Sequence, residues 1–221
     1  MSTKLPDAIR RSLSPARLAP YEAAAQTAGL EPREALTLYL WNTQVCAALL
    51  APLHFCEVVL RNAAAQALEA IHGPRWPWNS GFERSLPRQA SSGYSALADL
   101  QAVRNKAETP GHAVAELKFV FWEKLFTSRH DVRIWNSQLK KVLPNLGADQ
   151  SIADHRRQIF ESVSTLRRLR NRIAHHEPIH SRNLGEDYDR IQHLITARCR
   201  TSAQWMLNRE RTLAIISAKP F

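Results

Sequence analysis

Glycine and cysteine are both scarce. Seven glycines are spread thinly over 221 residues, and none falls in a glycine-rich phosphate loop or P-loop, which need glycines at fixed spacing. Cys46, Cys56 and Cys199 are scattered, with no Cys-x-x-Cys pair. That argues against a disulfide framework and for a reducing compartment, with thiols serving as small core residues. There is no His-Glu-x-x-His, and no serine or cysteine sits in a motif marking a nucleophile. No stretch alternates convincingly between apolar and polar residues, so no strand is expected. The N-terminal MSTKLPDAIRRSLS lacks the apolar centre of a signal peptide. No apolar run is expected to span a membrane, because Ala35–Ala70 is interrupted by Asn42, Gln44, Pro52, His54, Glu57, Arg61 and Asn62. These absences lead to the expectation of a soluble cytoplasmic protein with no membrane partner.

Positive charge and helical periodicity are abundant. Thirty Lys and Arg oppose twenty Asp and Glu, a formal net charge of +10, which favours anionic partners such as nucleic acid. Hydrophobic content is 44 %, enough for one sizeable core or two small ones. Residues 1–13 read as a flexible basic leader, 14–216 as one all-α domain and 217–221 as a tail. Ser14-Pro15 and Thr109-Pro110 are cap-plus-proline helix starts. The first predicts a helix to Ala28, closed by Gly29. A second runs from Glu31-Pro32 to about Leu50. Pro52 kinks or splits it, and a third continues to Ile71 before Gly73. The loop GPRWPWNSGFERSLP over 73–87 offers tryptophans that either stack on bases or plug the end of a bundle. Helices follow over about 87–107, 110–127 and 131–142. A long one capped by Asp149 or Ser151 comes next, and a last one spans about 186–211.

The densest chemistry lies in Arg167–His180, RRLRNRIAHHEPIH. Glu177 precedes proline, so the helix is expected to stop at His176 or Glu177. At ~100° per residue, Ile159, Val163, Leu166 and Ile173 share one stripe, and Arg170 falls within it. An arginine on a buried face must find a carboxylate, carbonyls or a bound anion. Asn171 and His175 share a neighbouring face, as do Arg172 and His176. The stretch reads either as a phosphate site or as a solvated basic helix end with one paired core arginine. Glu57 lies on the apolar stripe of the third helix, where a carboxylate needs a cation. Its partner is either Arg170 or the local Arg61, four residues on. His175, His176, Glu177 and His180 could in principle ligate a metal, but adjacent histidines diverge by ~100° on a helix, so no metal site is assigned.

At Leu169–Ile179, LRNRIAHHEPI, the sequence resembles the abortive-infection (Abi) family of phage-defence proteins, within the HEPN superfamily of helical ribonucleases. Arg170, Asn171 and His175 fit the superfamily pattern of an arginine, a following polar residue and a histidine after a four-to-six-residue spacer. LHFCEVVLRNA at Leu53–Ala63 and AELKFVFWEKLF at Ala115–Phe126 also resemble the Abi-like family. The similarity spans about Leu36 to Leu194. It implies a HEPN-like helical bundle with additional helices, forming a homodimer whose two Arg–His motifs face each other. It also implies RNA cleavage without metal or other cofactor. His175 would be the base for the ribose 2′-hydroxyl, Arg170 the stabiliser of phosphorane charge, and a second subunit's histidine the acid. Asn171 would orient His175, while Arg167, Arg172 and His176 would hold flanking phosphates. An antitoxin or regulatory partner would suit such a protein. A catalytically silent RNA-binding or protein-interaction module is the alternative.

Overall fold

The computed structural model describes residues 4–88 and 93–221. It is three-quarters helical, with twelve α-helices and no strand among the described residues, so the protein is all-α. The organising element is α3, Glu34–His72, a 39-residue helix of about 58 Å. Around it pack α2 (Pro15–Thr27), α7 (Phe119–Leu125), α8 (Asn136–Val142), α9 (Ile152–Ala174), α10 (Leu184–Arg198) and α12 (Thr212–Ser217). By length and composition α3 could cross a membrane, with an 18-residue stretch of mean hydropathy 1.6, contrary to the expectation of no such run. Here it is the hub of the core, burying Leu38, Val45, Leu49, Leu53, Cys56, Leu60 and Ala64 against its neighbours.

Pro52 does not split α3. It is buried inside an unbroken helix, where the surrounding packing outweighs the roughly 3 kcal/mol that an internal proline costs. Gly73 ends the helix at φ 85°, in the left-handed region that suits glycine. Residues 4–13, expected as a loose leader, form α1 (Lys4–Leu13), tied to α2 by Arg10 on Glu22 at 2.8 Å. Residues 1–3 lie outside the described part. So do residues 89–92 of the helix expected over 87–107, within which the structure places α5, Ala96–Arg104. Ahead of it, the Trp-rich loop carries the short α4 (Ser80–Ser85).

Two expected helices are interrupted by tertiary contacts. The one over 110–127 becomes α6 (Pro110–Glu116) and α7, because buried Asp99 accepts the Lys118 amide at 3.4 Å and holds that residue extended. The last divides at Cys199 into α10 and α11 (Arg200–Leu207), where Asn145 takes the Thr196 and Ala197 carbonyls, each at 3.1 Å. The segment before α8, Asp131–Trp135, winds as a π-helix. Trp76 packs edge-on against Phe82 and Trp122 and is 2 % exposed, so it plugs the bundle instead of offering a face for bases. The tail also belongs to the fold, since Phe221 packs on the core.

Candidate functional site

The candidate site is built on the C-terminal end of α9. Ser151 caps the start, its hydroxyl accepting the Asp154 amide at 3.1 Å. His155, Ile159, Val163, Leu166, Leu169 and Ile173 form the buried face. The helix stops by its own hydrogen bonds at Ala174, four residues ahead of Pro178 and earlier than the His176 or Glu177 expected from that proline. His176 adopts φ 57°, its amide donates to the Ile173 carbonyl at 3.0 Å, and the Glu177 amide donates to Arg172 at 2.8 Å. This pair of bonds is a Schellman closure with histidine at the position glycine usually fills. A left-handed non-glycine residue costs roughly 1–2 kcal/mol, and such strain persists only where the surroundings hold it.

Those surroundings are well defined. Arg17 of α2 donates to the His176 carbonyl. Arg172 donates to the Pro178 carbonyl at 2.6 and 3.2 Å and lies 3.4 Å from Glu177. Buried Asn42 of α3 accepts the Ile179 amide at 2.9 Å. His180 lies against Tyr21, ring centres 5.0 Å apart. Burial, then Lys219 and Arg172, hold its pKa below the usual imidazole value. The His175 side chain is exposed at the cap of this fixed turn.

Arg170 is exposed, not buried. Its helical phase matches the buried stripe, but the neighbours that cover the stripe stop short of it. In their place lies an open groove of about 540 Å³ whose lining includes Leu53, His54, Glu57, Val58 and Arg61 of α3, Val114 of α6, and Arg170 itself. Core packing at this level is taken by Leu169, which is fully buried. The one hydrogen bond of the Arg170 guanidinium among the described residues is a long one to Asn171 Oδ1 at 3.5 Å. On α9, Arg156, Arg157, Arg167 and Arg172 each meet a carboxylate. Arg168 and Arg170 form no ion pair among the described residues.

The Glu57–Arg170 pairing is not formed. Glu57 pairs with Arg61 one turn on, and Arg61 also donates to the Val114 and Ala115 carbonyls at 3.0 and 2.8 Å. An arginine four residues away on the same helix reaches the carboxylate without crossing the groove. Arg167 is also committed. It bonds Glu123, whose side chain is 2 % exposed and which Lys124 also approaches at 3.2 Å. Arg167 and Arg172 therefore have structural partners in the free protein, whereas Arg170, His175 and His176 are exposed.

Sequence reasoning missed Arg17, Asn42, Lys219 and His54. The first three reach the α9 turn or its surroundings from distant segments, and nothing in their local pattern announces it. Among the described residues no three His, Cys, Asp or Glu side chains cluster as metal ligands. Glu177 faces Arg172 and His180 faces Tyr21, so the histidine-rich turn does not converge. A larger groove of about 900 Å³ lies at the other end of α9, between His155 and His193, and includes none of the predicted site residues. Comparison with protein-family models, curated proteins and solved structures finds no significant match.

Proposed function

We propose that this protein is a metal-independent endoribonuclease of the HEPN type, acting on cytoplasmic RNA in phage defence or as a toxin. The observation that carries this reading is Arg170, a guanidinium with no carboxylate partner among the described residues, open to a groove and five residues before an exposed histidine on a braced helix end. A free guanidinium is the group suited to hold a phosphate and to stabilise the charge that builds on it. In this mechanism His175 removes the proton from the ribose 2′-hydroxyl. The 2′-oxygen attacks phosphorus, the P–O5′ bond breaks, and the products are a 2′,3′-cyclic phosphate and a 5′-hydroxyl. Asn171 shares the helix face of His175 and positions it, and His176 meets a flanking phosphate. Arg167 and Arg172 contribute chiefly by holding the scaffold.

Five helical residues turn Arg170 and His175 by ~140° from each other and separate them by ~7.5 Å along the axis. A homodimer that brings in a second motif would complete the site. Leu50 and Val58 of α3, 47 % and 40 % exposed, supply an apolar edge to the groove that suits such a contact. A regulatory or antitoxin partner would cover the same surface.

The test is cleavage of single-stranded RNA in EDTA. Arg170→Ala is expected to lose activity, whereas Arg168→Ala, which removes the other α9 arginine without an ion pair, keeps it. Equal activity of the two variants would refute the role of Arg170. The angular divergence of Arg170 and His175 favours a second reading, an RNA-binding module without turnover. It predicts salt-dependent RNA binding with no product from wild type.

A further inference from the structure

We infer that His54 is a further catalytic residue of this site, the proton donor to the leaving 5′-oxygen; this rests on the ribonuclease reading above. Cleavage by 2′-hydroxyl attack needs two proton transfers, one from the nucleophile and one to the leaving group. Among the described residues the Arg170 groove contains one imidazole, His54 of α3. Its side chain is exposed and forms no hydrogen bond or ion pair among the described residues. Several other histidines are engaged elsewhere: His155 with the Gly147 carbonyl at 2.9 Å, His72 against Phe82 and His180 against Tyr21.

The placement also suits the chemistry. Arg170 approaches from α9 and His54 from α3, so a phosphate held by Arg170 meets an imidazole from a second helix. His175 lies outside this groove, ~140° round α9 from Arg170, so in the dimer proposed above a His175 reaches that phosphate as the base. The two histidines then serve as base and acid from different helices, as a displacement with attacking and departing oxygens on opposite sides of phosphorus requires. The charges facing His54 are Glu57 and Arg61 along α3 and Arg170 across the groove, while the α6 wall contributes Gly111, Val114 and Ala115 without charge. Glu57, one turn from His54, is the groove's one carboxylate among the described residues. The proton on His54 passes to O5′ as the P–O5′ bond breaks, and His175 keeps the proton taken from O2′. Solvent exchange resets both.

The experiment compares wild type, His54→Ala and His175→Ala on two RNAs: an ordinary oligonucleotide, and one whose scissile 5′-oxygen is replaced by sulfur. A thiolate departs without protonation, so loss of the acid is rescued and loss of the base is not. His54→Ala is expected to fall roughly 10²-fold or more on the ordinary RNA. It should return to within a few-fold of wild type on the 5′-thio RNA and lose the alkaline limb of the kcat/KM–pH profile. His175→Ala stays inactive on both. The melting temperature of His54→Ala should equal that of wild type, because the side chain is exposed. Wild-type cleavage by His54→Ala, or a loss that 5′-sulfur does not restore, overturns the assignment. Rescue of His175→Ala in its place would transfer the acid role to a second subunit's His175. If wild type cleaves neither RNA, the ribonuclease reading itself fails and the role of His54 falls with it.

Discussion

Replacing Arg167 by alanine should act first on the stability of the fold and not on RNA contact. Arg167 was expected on the RNA-binding face, but its guanidinium neutralises Glu123, which is 2 % exposed at its side chain and sits among Phe121, Trp122 and Leu125. Removing one member of a buried ion pair costs roughly 3–5 kcal/mol, most of it the penalty of the stranded charge. Lys124 remains 3.2 Å from the other carboxylate oxygen, which puts the expected loss at the lower end, about 3 kcal/mol. For a chain of this size that corresponds to a drop of about 6–12 °C in melting temperature. Replacing both partners, Glu123→Leu with Arg167→Met, removes the stranded charge and should recover much of the loss. Arg168→Ala, on an exposed position, serves as control and should stay within about 0.5 kcal/mol of wild type. The assay is urea and thermal denaturation of the four proteins, followed by circular dichroism. If Arg167→Ala melts within about 1 °C of wild type, the pair is not structural and the argument fails.

Two further perturbations test the fold, one away from the site and one at the α9 turn. His130 is 2 % exposed with an unbonded Nδ1, and burial, then Arg129 and Arg133, lower its pKa from 6.5 to about 4. The folded state therefore holds His130 neutral while the unfolded chain takes up a proton below pH 6.5. The stability it contributes is complete above pH 6.5 and is lost as pH falls through about 4. The loss is about 3 kcal/mol in total. In urea titrations at pH 7, 5.5 and 4, His130→Gln should flatten this part of the acid dependence; an unchanged slope would refute it. His176→Gly relieves the strain at φ 57° and should raise stability by about 0.5–1 kcal/mol. A fall in melting temperature would show that the imidazole itself braces the turn.

Helix starts were legible because their chemistry is local. Ser14, Thr109 and Ser151 each cap the helix that follows them, two of the three ahead of proline, and their hydroxyls accept the amides of Arg17, His112 and Asp154. Gly29 and Gly73 mark stops for the same reason. The breaks at Lys118 and Cys199 were not legible, since Asp99 and Asn145 impose them from other parts of the chain. At Pro52 a local rule predicted a kink or a split, and of the two the split is excluded, because α3 runs unbroken with the proline buried in it.

At the site, helical phase gave the direction of Arg170 but not its cover. Phase says which way a side chain points, whereas burial depends on whether another element is there, and beside Arg170 there is an open groove. The choice between Arg61 and Arg170 for Glu57 stood open in the sequence, and proximity along one helix decided it. The three segments Leu53–Ala63, Ala115–Phe126 and Leu169–Ile179 each contribute to the wall of one groove, through Arg61, Ala115 and Arg170 among others. His54 carried no signal beyond interrupting an apolar run. Its relevance depends on α3 and α9 forming opposite walls of one groove.

The most direct test of the central claim is to incubate purified wild type with total RNA in EDTA, beside His175→Ala, and to map the ends produced. The account predicts fragments ending in 2′,3′-cyclic phosphate and 5′-hydroxyl from wild type, and none from a His175→Ala protein that is folded and still binds RNA. Intact RNA with wild type, or the same fragments from His175→Ala, would contradict it.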